Sequence, residues 1–215
     1  MNEVKDKLNV STKWFFLLIV FITFAACSNK KKVVIKNNAG RVLEEFYTLK
    51  DKPDMKTGIY TSYYESGKIK ELSNFTDGKP EGKRTLYFES GKIMVVENYK
   101  NGNYEGEYKS FYESGGLESK GQFRDNARDG VWKVYYETPK NTLKQEVTFK
   151  DNIINGPAKE YHPNGTLIAE GNKIEIGDGV DVYDGKVQVY DSLGTLEKVL
   201  IYDKGRQIKK EALNE

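Results

Sequence analysis

The sequence predicts an all-β protein, an elongated antiparallel meander of repeated β-hairpins. Three observations carry this. A glycine recurs at Gly58, Gly82, Gly106, Gly130, Gly156 and Gly185, at spacings of 24, 24, 24, 26 and 29 residues. Five positions after each stands an aromatic: Tyr63, Tyr87, Phe111, Tyr135, Tyr161 and Tyr190. No 3.6-residue apolar period survives across the glycine-bearing turns, so an amphipathic helix is excluded as the repeated unit.

The amino terminus reads as an address. Lys5, Lys7 and Lys13 precede "WFFLLIVFITFAA", Trp14 to Ala26, thirteen residues without a charge. That is short for a transmembrane helix and suits the apolar part of a signal peptide. It ends in small residues directly before the single cysteine, Cys27. Residues 1–27 resemble a bacterial lipoprotein signal, which implies that Cys27 is lipidated and becomes the first mature residue. The alternative is an uncleaved membrane anchor, and in either case the rest of the chain is exported. Residues 28–57 are expected to hold a solvated tether, "SNKKK", and a partial repeat, "NNAGRVLEEFYTL".

From 58 to 207 each unit reads as one hairpin. Two runs rich in Tyr, Phe, Val, Ile and Thr are bounded by Gly, Asn, Asp and Ser. "ESGK" supplies a glycine where the first turn needs positive φ, and Asp-Gly or Asn-Gly supplies the second. The fourth unit carries "TPKN" in its first turn, two residues longer. Six units give about twelve strands, a sheet nearly 60 Å long before twisting. The tail, 208–215, belongs to "GRQIKKEALNE", the one stretch where a short helix is expected. Rings at equivalent offsets are expected to stack across strands.

"GKRTLYFESGKIMVVENYKNGNYEG" resembles the MORN repeat, and more closely its bacterial YwqK-type variant. The resemblance spans about Gly58 to Gly205. It implies a single hairpin sheet and a scaffold, protein-binding or membrane-associated role, with no catalytic residue set. The antitoxin label attached to such repeats implies a cytosolic protein. The signal sequence opposes that, and the label is not carried over.

Composition narrows the function further. Net charge is +2 from 34 basic and 32 acidic residues, which argues against a dedicated nucleic-acid binder. Aromatics make up 13% and mean hydropathy is −0.68, so rings must supply much of the burial. One cysteine and one histidine, His162, allow neither an internal disulfide nor a Cys/His metal cluster. Glu65, Glu89, Glu113 and Glu137 recur at the first turn, and Glu81, Glu105, Asp129 and Asp184 precede anchor glycines. A hydrolase needs two carboxylates converging on one cleft. Repeated in every unit, these are read as solvated turn acids, some accepting from backbone N–H groups. His162 stands without a nucleophile or a second histidine. Asp178, Asp181 and Asp184 could offer oxygens to Ca²⁺ but lack the EF-hand spacing, and an irregular loop is the expectation there.

Two function classes remain. One is a non-catalytic, lipid-anchored envelope protein binding a protein partner through its sheet, with no cofactor. The other binds or cleaves glycans with surface tyrosines and turn carboxylates. The first is preferred, because the informative residues repeat whereas catalytic groups are singular and convergent. The candidate binding patch is Tyr87, Tyr108, Phe111, Trp132 and Tyr135, in the most regular units.

Overall fold

The computed structural model describes residues 29–177 and 179–211. Cys27 and Asp178 lie outside the described residues. Seventeen strand segments follow one another: β1 (Lys30–Lys36), β2 (Val42–Leu49), β3 (Lys52–Tyr63), β4 (Ile69–Thr76), β5 (Lys79–Pro80), β6 (Gly82–Tyr87), β7 (Ile93–Lys100), β8 (Asn103–Tyr104), β9 (Gly106–Phe111), β10 (Leu117–Arg124), β11 (Ala127–Tyr135), β12 (Leu143–Lys150), β13 (Ile153–Tyr161), β14 (Leu167–Glu175), β15 (Asp181–Tyr190), β16 (Leu196–Asp203) and β17 (Arg206–Glu211). All pairings are antiparallel and follow chain order in one open meander. β5 and β6 both pair with β4, and β8 and β9 both pair with β7, so each couple is two pieces of one strand position. That makes fifteen positions among the described residues where about twelve were expected.

The surplus comes from both ends. The lysines expected in a solvated tether, Lys30 to Lys32, are the first residues of β1 and pair with Leu49, Thr48 and Tyr47 of β2. The tail expected to be helical instead continues the sheet as β17, paired with β16. Backbone donors beside an open strand edge find partners more readily in a further strand than in an isolated short helix.

Two kinds of turn alternate. At the first, Gly67 N donates to Tyr64 O at 2.8 Å and Tyr64 N to Lys68 O at 2.8 Å, a type I turn closed by a left-handed residue. Gly91 (φ 89°) and Gly115 (φ 102°) hold that place in the next units, and Asn141 (φ 51°) holds it in the longer one. At the second turn both central residues have positive φ, as in Asp77-Gly78 (48°, 77°) and Asn101-Gly102 (52°, 89°), the geometry that matches strand twist.

A β-bulge recurs in every hairpin, and the sequence pattern does not mark it. Ser62 faces Glu71 but Tyr63 faces Ile69, leaving Lys70 extra. Met94, Glu118, Lys144, Ile168 and Glu197 are extra at the same place in later units. Each bulge adds local twist.

The bulges and alternation sort side chains onto two faces. The front face carries most of the buried ones, including Trp132, Val147, Phe149, Ala158 and Val187. Rings meet across strands there: Tyr99–Tyr104 at 4.6 Å, Tyr104–Phe123 at 5.1 Å, Phe123–Trp132 at 5.2 Å, Tyr108–Trp132 at 5.4 Å and Trp132–Phe149 at 6.1 Å between centroids. Each such pair contributes about 0.5–1.5 kcal/mol beyond area burial. The expected ladder therefore exists, but not at the most regular aromatic offset. Tyr63, Tyr87, Phe111, Tyr135, Tyr161 and Tyr190 point to the back face among charges, as in the Lys133–Glu146 and Lys159–Glu170 pairs.

Candidate binding face

Offset two in each unit lies on the front face, across the hairpin from one residue of the following strand. The pairs are Tyr60 with Ser73, Arg84 with Glu97, Trp132 with Val147, Ala158 with Gly171, and Val187 with Leu200. Tyr108 faces Gly121, and the Trp132 ring lies so close over Gly121 that a Cβ there would overlap it. A large ring thus rests on a residue without a side chain.

The second unit breaks this pattern. Arg84 replaces the ring, and Glu97, 5% exposed, replaces the small partner. Arg84 is bidentate to Glu71, with Nε to Oε1 at 2.9 Å and Nη2 to Oε2 at 3.0 Å. Its Nη1 donates to Glu97 Oε1 at 2.8 Å and to Tyr99 Oη at 3.2 Å. Ser73 and Tyr99 hydroxyls donate to Glu71 Oε1 and Glu97 Oε1 at 2.9 and 3.0 Å. Burial opposes the Arg84 charge, but the Glu71 carboxylate outweighs it, and the guanidinium pKa lies above its ordinary value. Burial also raises the Tyr99 hydroxyl. Two carboxylates and one guanidinium make a partly desolvated, net anionic knot in which both Glu71 oxygens and Glu97 Oε1 accept hydrogen bonds.

Beside the knot lies a front-face groove of about 590 Å³. Leu86, Tyr104, Tyr108, Phe123 and Trp132 line it, with Arg84 and Glu97 at one end and Arg128 at the other. The exposed Arg128 guanidinium stacks 4.2 Å from the Phe149 ring centroid and 5.7 Å from that of Trp132. No carboxylate among the described residues forms an ion pair with it. A larger hollow, about 670 Å³, opens at the first turns between Arg41, Tyr63 and Glu65. Glu65 is already engaged there by Asn37 at 2.8 Å and by Arg41, and Tyr63 is the one ring that lines it, against four in the central groove, which is the better site.

At the far end Lys173, buried, takes a place held by a ring in other units. It bridges Glu160 at 2.8 Å and Asp181 at 2.9 Å, beneath the Tyr183 ring. Burial works against its charge, and the two carboxylates raise its pKa regardless. Burial, and then the nearby Glu160 charge, raise the Tyr183 hydroxyl, which is buried without a hydrogen-bond partner among the described residues.

The five residues expected to form one patch divide. Tyr108 and Trp132 line the groove, Trp132 as packed core at 7% exposure. Tyr87, Phe111 and Tyr135 are half-buried on the opposite face. Offsets two and five lie an odd number of residues apart on one uninterrupted strand, so alternation puts these three on the other face, and a single contact surface cannot include all five. Phe123 is one of the second-strand rings that recur with the repeat, with Phe75, Tyr99, Phe149 and Tyr202, whereas Arg84, Glu97, Tyr104 and Arg128 are groove residues absent from the expected patch. Arg84 carries a readable signal, a charge at a ring position; Arg128 carries none.

The turn acids behave as expected of acceptors. Glu81 Oε2 accepts from Asn101 N at 2.7 Å, Glu105 Oε2 from Asp125 N at 3.0 Å, and Asp184 Oδ1 from Lys204 N at 3.0 Å. Each reaches the second turn of the next unit. Asp181 is committed to Lys173 and Asp184 to this turn bond. His162 closes a first turn through its backbone, Gly165 N donating to its carbonyl at 2.8 Å.

One comparison bears on this regular stacking. Four segments, residues 56–77, 80–101, 104–125 and 154–172, match the MORN repeat variant. These segments make up about two fifths of the chain and are similar to MORN-variant repeats, each starting two residues before an anchor glycine. The unit with the longer turn lies between the matched segments, and the stretch with the widest spacing follows them. The groove falls where the second and third matched segments meet this longer unit. No curated protein matches the chain.

Proposed function

We propose that the protein is an exported, lipid-anchored binding module of a bacterial envelope, and that its front-face groove captures a protein partner without chemistry of its own. The observation that carries the reading is the groove. Tyr104, Tyr108, Phe123 and Trp132 make a rigid aromatic floor, and Arg128 stands at its rim without a carboxylate. Aromatic anchors beside an available guanidinium are what binding hot spots use. An extended segment bearing an aromatic or aliphatic anchor and a carboxylate fits both features. Lipid attachment through Cys27 rests on its place after the charge-free run.

The test is partner capture from envelope extracts by the full-length protein, with chemical cross-linking, against Arg128→Glu and Tyr104→Ala variants. Loss of one defined cross-linked protein in both variants, with the β-sheet circular dichroism unchanged, supports the reading. Retention of that protein by both variants removes the groove from consideration. Turnover of a glycan, lost on substitution of a single carboxylate, would replace binding by catalysis.

A further inference from the structure

We propose that β1 and the corner beside it form a membrane-facing edge that rests on anionic lipid headgroups, so that the sheet stands up from the bilayer on its first strand. This rests on the reading that residues 14–26 bring the chain to a membrane, and it holds whether that run is cleaved before Cys27 or retained.

The reasons are geometric and electrostatic. Asn29 is already part of the fold. Its carbonyl accepts from Lys50 N at 2.9 Å, and its Nδ2 donates to Asp51 Oδ1 at 3.2 Å. Two peptide steps span at most about 7 Å, so Cys27 lies within that distance of Asn29, Cα to Cα. There is no slack with which to lift the sheet away. What lies at that edge is basic and apolar: "KKKVVIK" carries four lysines and no acid, with Val34 and Ile35 41% and 42% exposed. Lys50 and Lys52 flank the same corner.

The acids nearby are partly spoken for. Glu45 pairs with Lys32 at 3.1 Å and Glu44 with Lys56 at 3.6 Å, while Asp51 holds Asn29. Lys31, Lys36, Lys50 and Lys52 form no ion pair with a described residue. Lysines attracted to anionic headgroups act within a Debye length, about 8 Å at physiological salt. The far edge, β17, lies about 65 Å away at ordinary strand spacing, well outside that range.

The experiment places full-length protein in vesicles of phosphatidylcholine alone or mixed with phosphatidylglycerol. A water-soluble amine-reactive ester then labels lysines, read peptide by peptide. Lys31, Lys36, Lys50 and Lys52 should react several-fold more slowly in the anionic vesicles, Lys204 and Lys210 equally in both, and molar salt should erase the difference. Equal labelling of the first edge in both vesicle types overturns the proposal, as does equal protection of both edges. Failure to float with either vesicle overturns membrane attachment itself, and the mass of the N-terminal peptide reports separately on Cys27. Lys31→Gln/Lys36→Gln should weaken protection of Lys50 and Lys52; unchanged protection would count against a shared edge.

Discussion

At the scale of single residues, the front face is a set of matched sizes and charges. Trp132 over Gly121 is the tightest match, and Gly121→Ala should destabilise the protein by about 1–3 kcal/mol through overpacking, read by chemical denaturation. Combined with Trp132→Val, the two losses should not add, because both act on one contact. Arg84→Leu should cost more, about 3–5 kcal/mol near neutral pH, because Glu71 and Glu97 would be left buried without a cation. Glu170 gives a signed pH dependence. Hydrogen bonds from Tyr190 and then Lys159 hold its pKa below the ordinary value of 4.5. A depressed carboxylate stabilises above its unfolded pKa and loses that stabilisation as pH falls through the folded one. Glu170→Gln should therefore lower stability by up to about 1 kcal/mol near neutrality and converge with the wild type in acid.

The hairpin is the element, and its turn chemistry is legible in the sequence. Gly91 and Gly115 stand at positive φ where "ESGK" and its relative place them. A Cβ at Gly91 would meet nothing within 4 Å, so the penalty of branching there is conformational. Gly91→Val should cost about 1–3 kcal/mol, and Gly91→Asn much less, since Asn141 holds the same place at φ 51°. Thermal melts of the two variants make the comparison. The bulge is not legible, because an extra residue such as Lys70, Met94 or Ile168 has no common chemistry to mark it. Strand alternation alone sets offset five and offset two on opposite faces, and the binding patch read from sequence divides because it drew rings from both offsets.

Over the whole molecule, the period predicts the meander, and the edges depart from prediction. Lys30 to Lys32 and Arg206 to Glu211 have compositions that suit solvent, and only the neighbouring unpaired strand makes them strands. The groove needs two things that repeat logic hides: a unit that deviates, at Arg84, and rings gathered from three strand positions. Because each unit meets only its neighbours, a whole unit is removable. Deleting residues 82–105 joins Glu81 to Gly106 in register, so β-sheet circular dichroism should persist with reduced stability. Deleting 82–104 instead shifts the alternation by one and turns front-face residues to the back, and that variant should fail to fold.

Asn29 and Glu211 sit at opposite ends of the ladder of strands, on β1's side and in β17. A pull between the two ends runs across the strands. It loads inter-strand bonds one row at a time, as a zipper is opened, and not in parallel as in shear. Held at a surface by its first strand and tugged from its last, the protein should yield in steps of one hairpin at low force, releasing chain like a reel. Single-molecule extension would show a train of small, near-equal lengthenings, one for each unit.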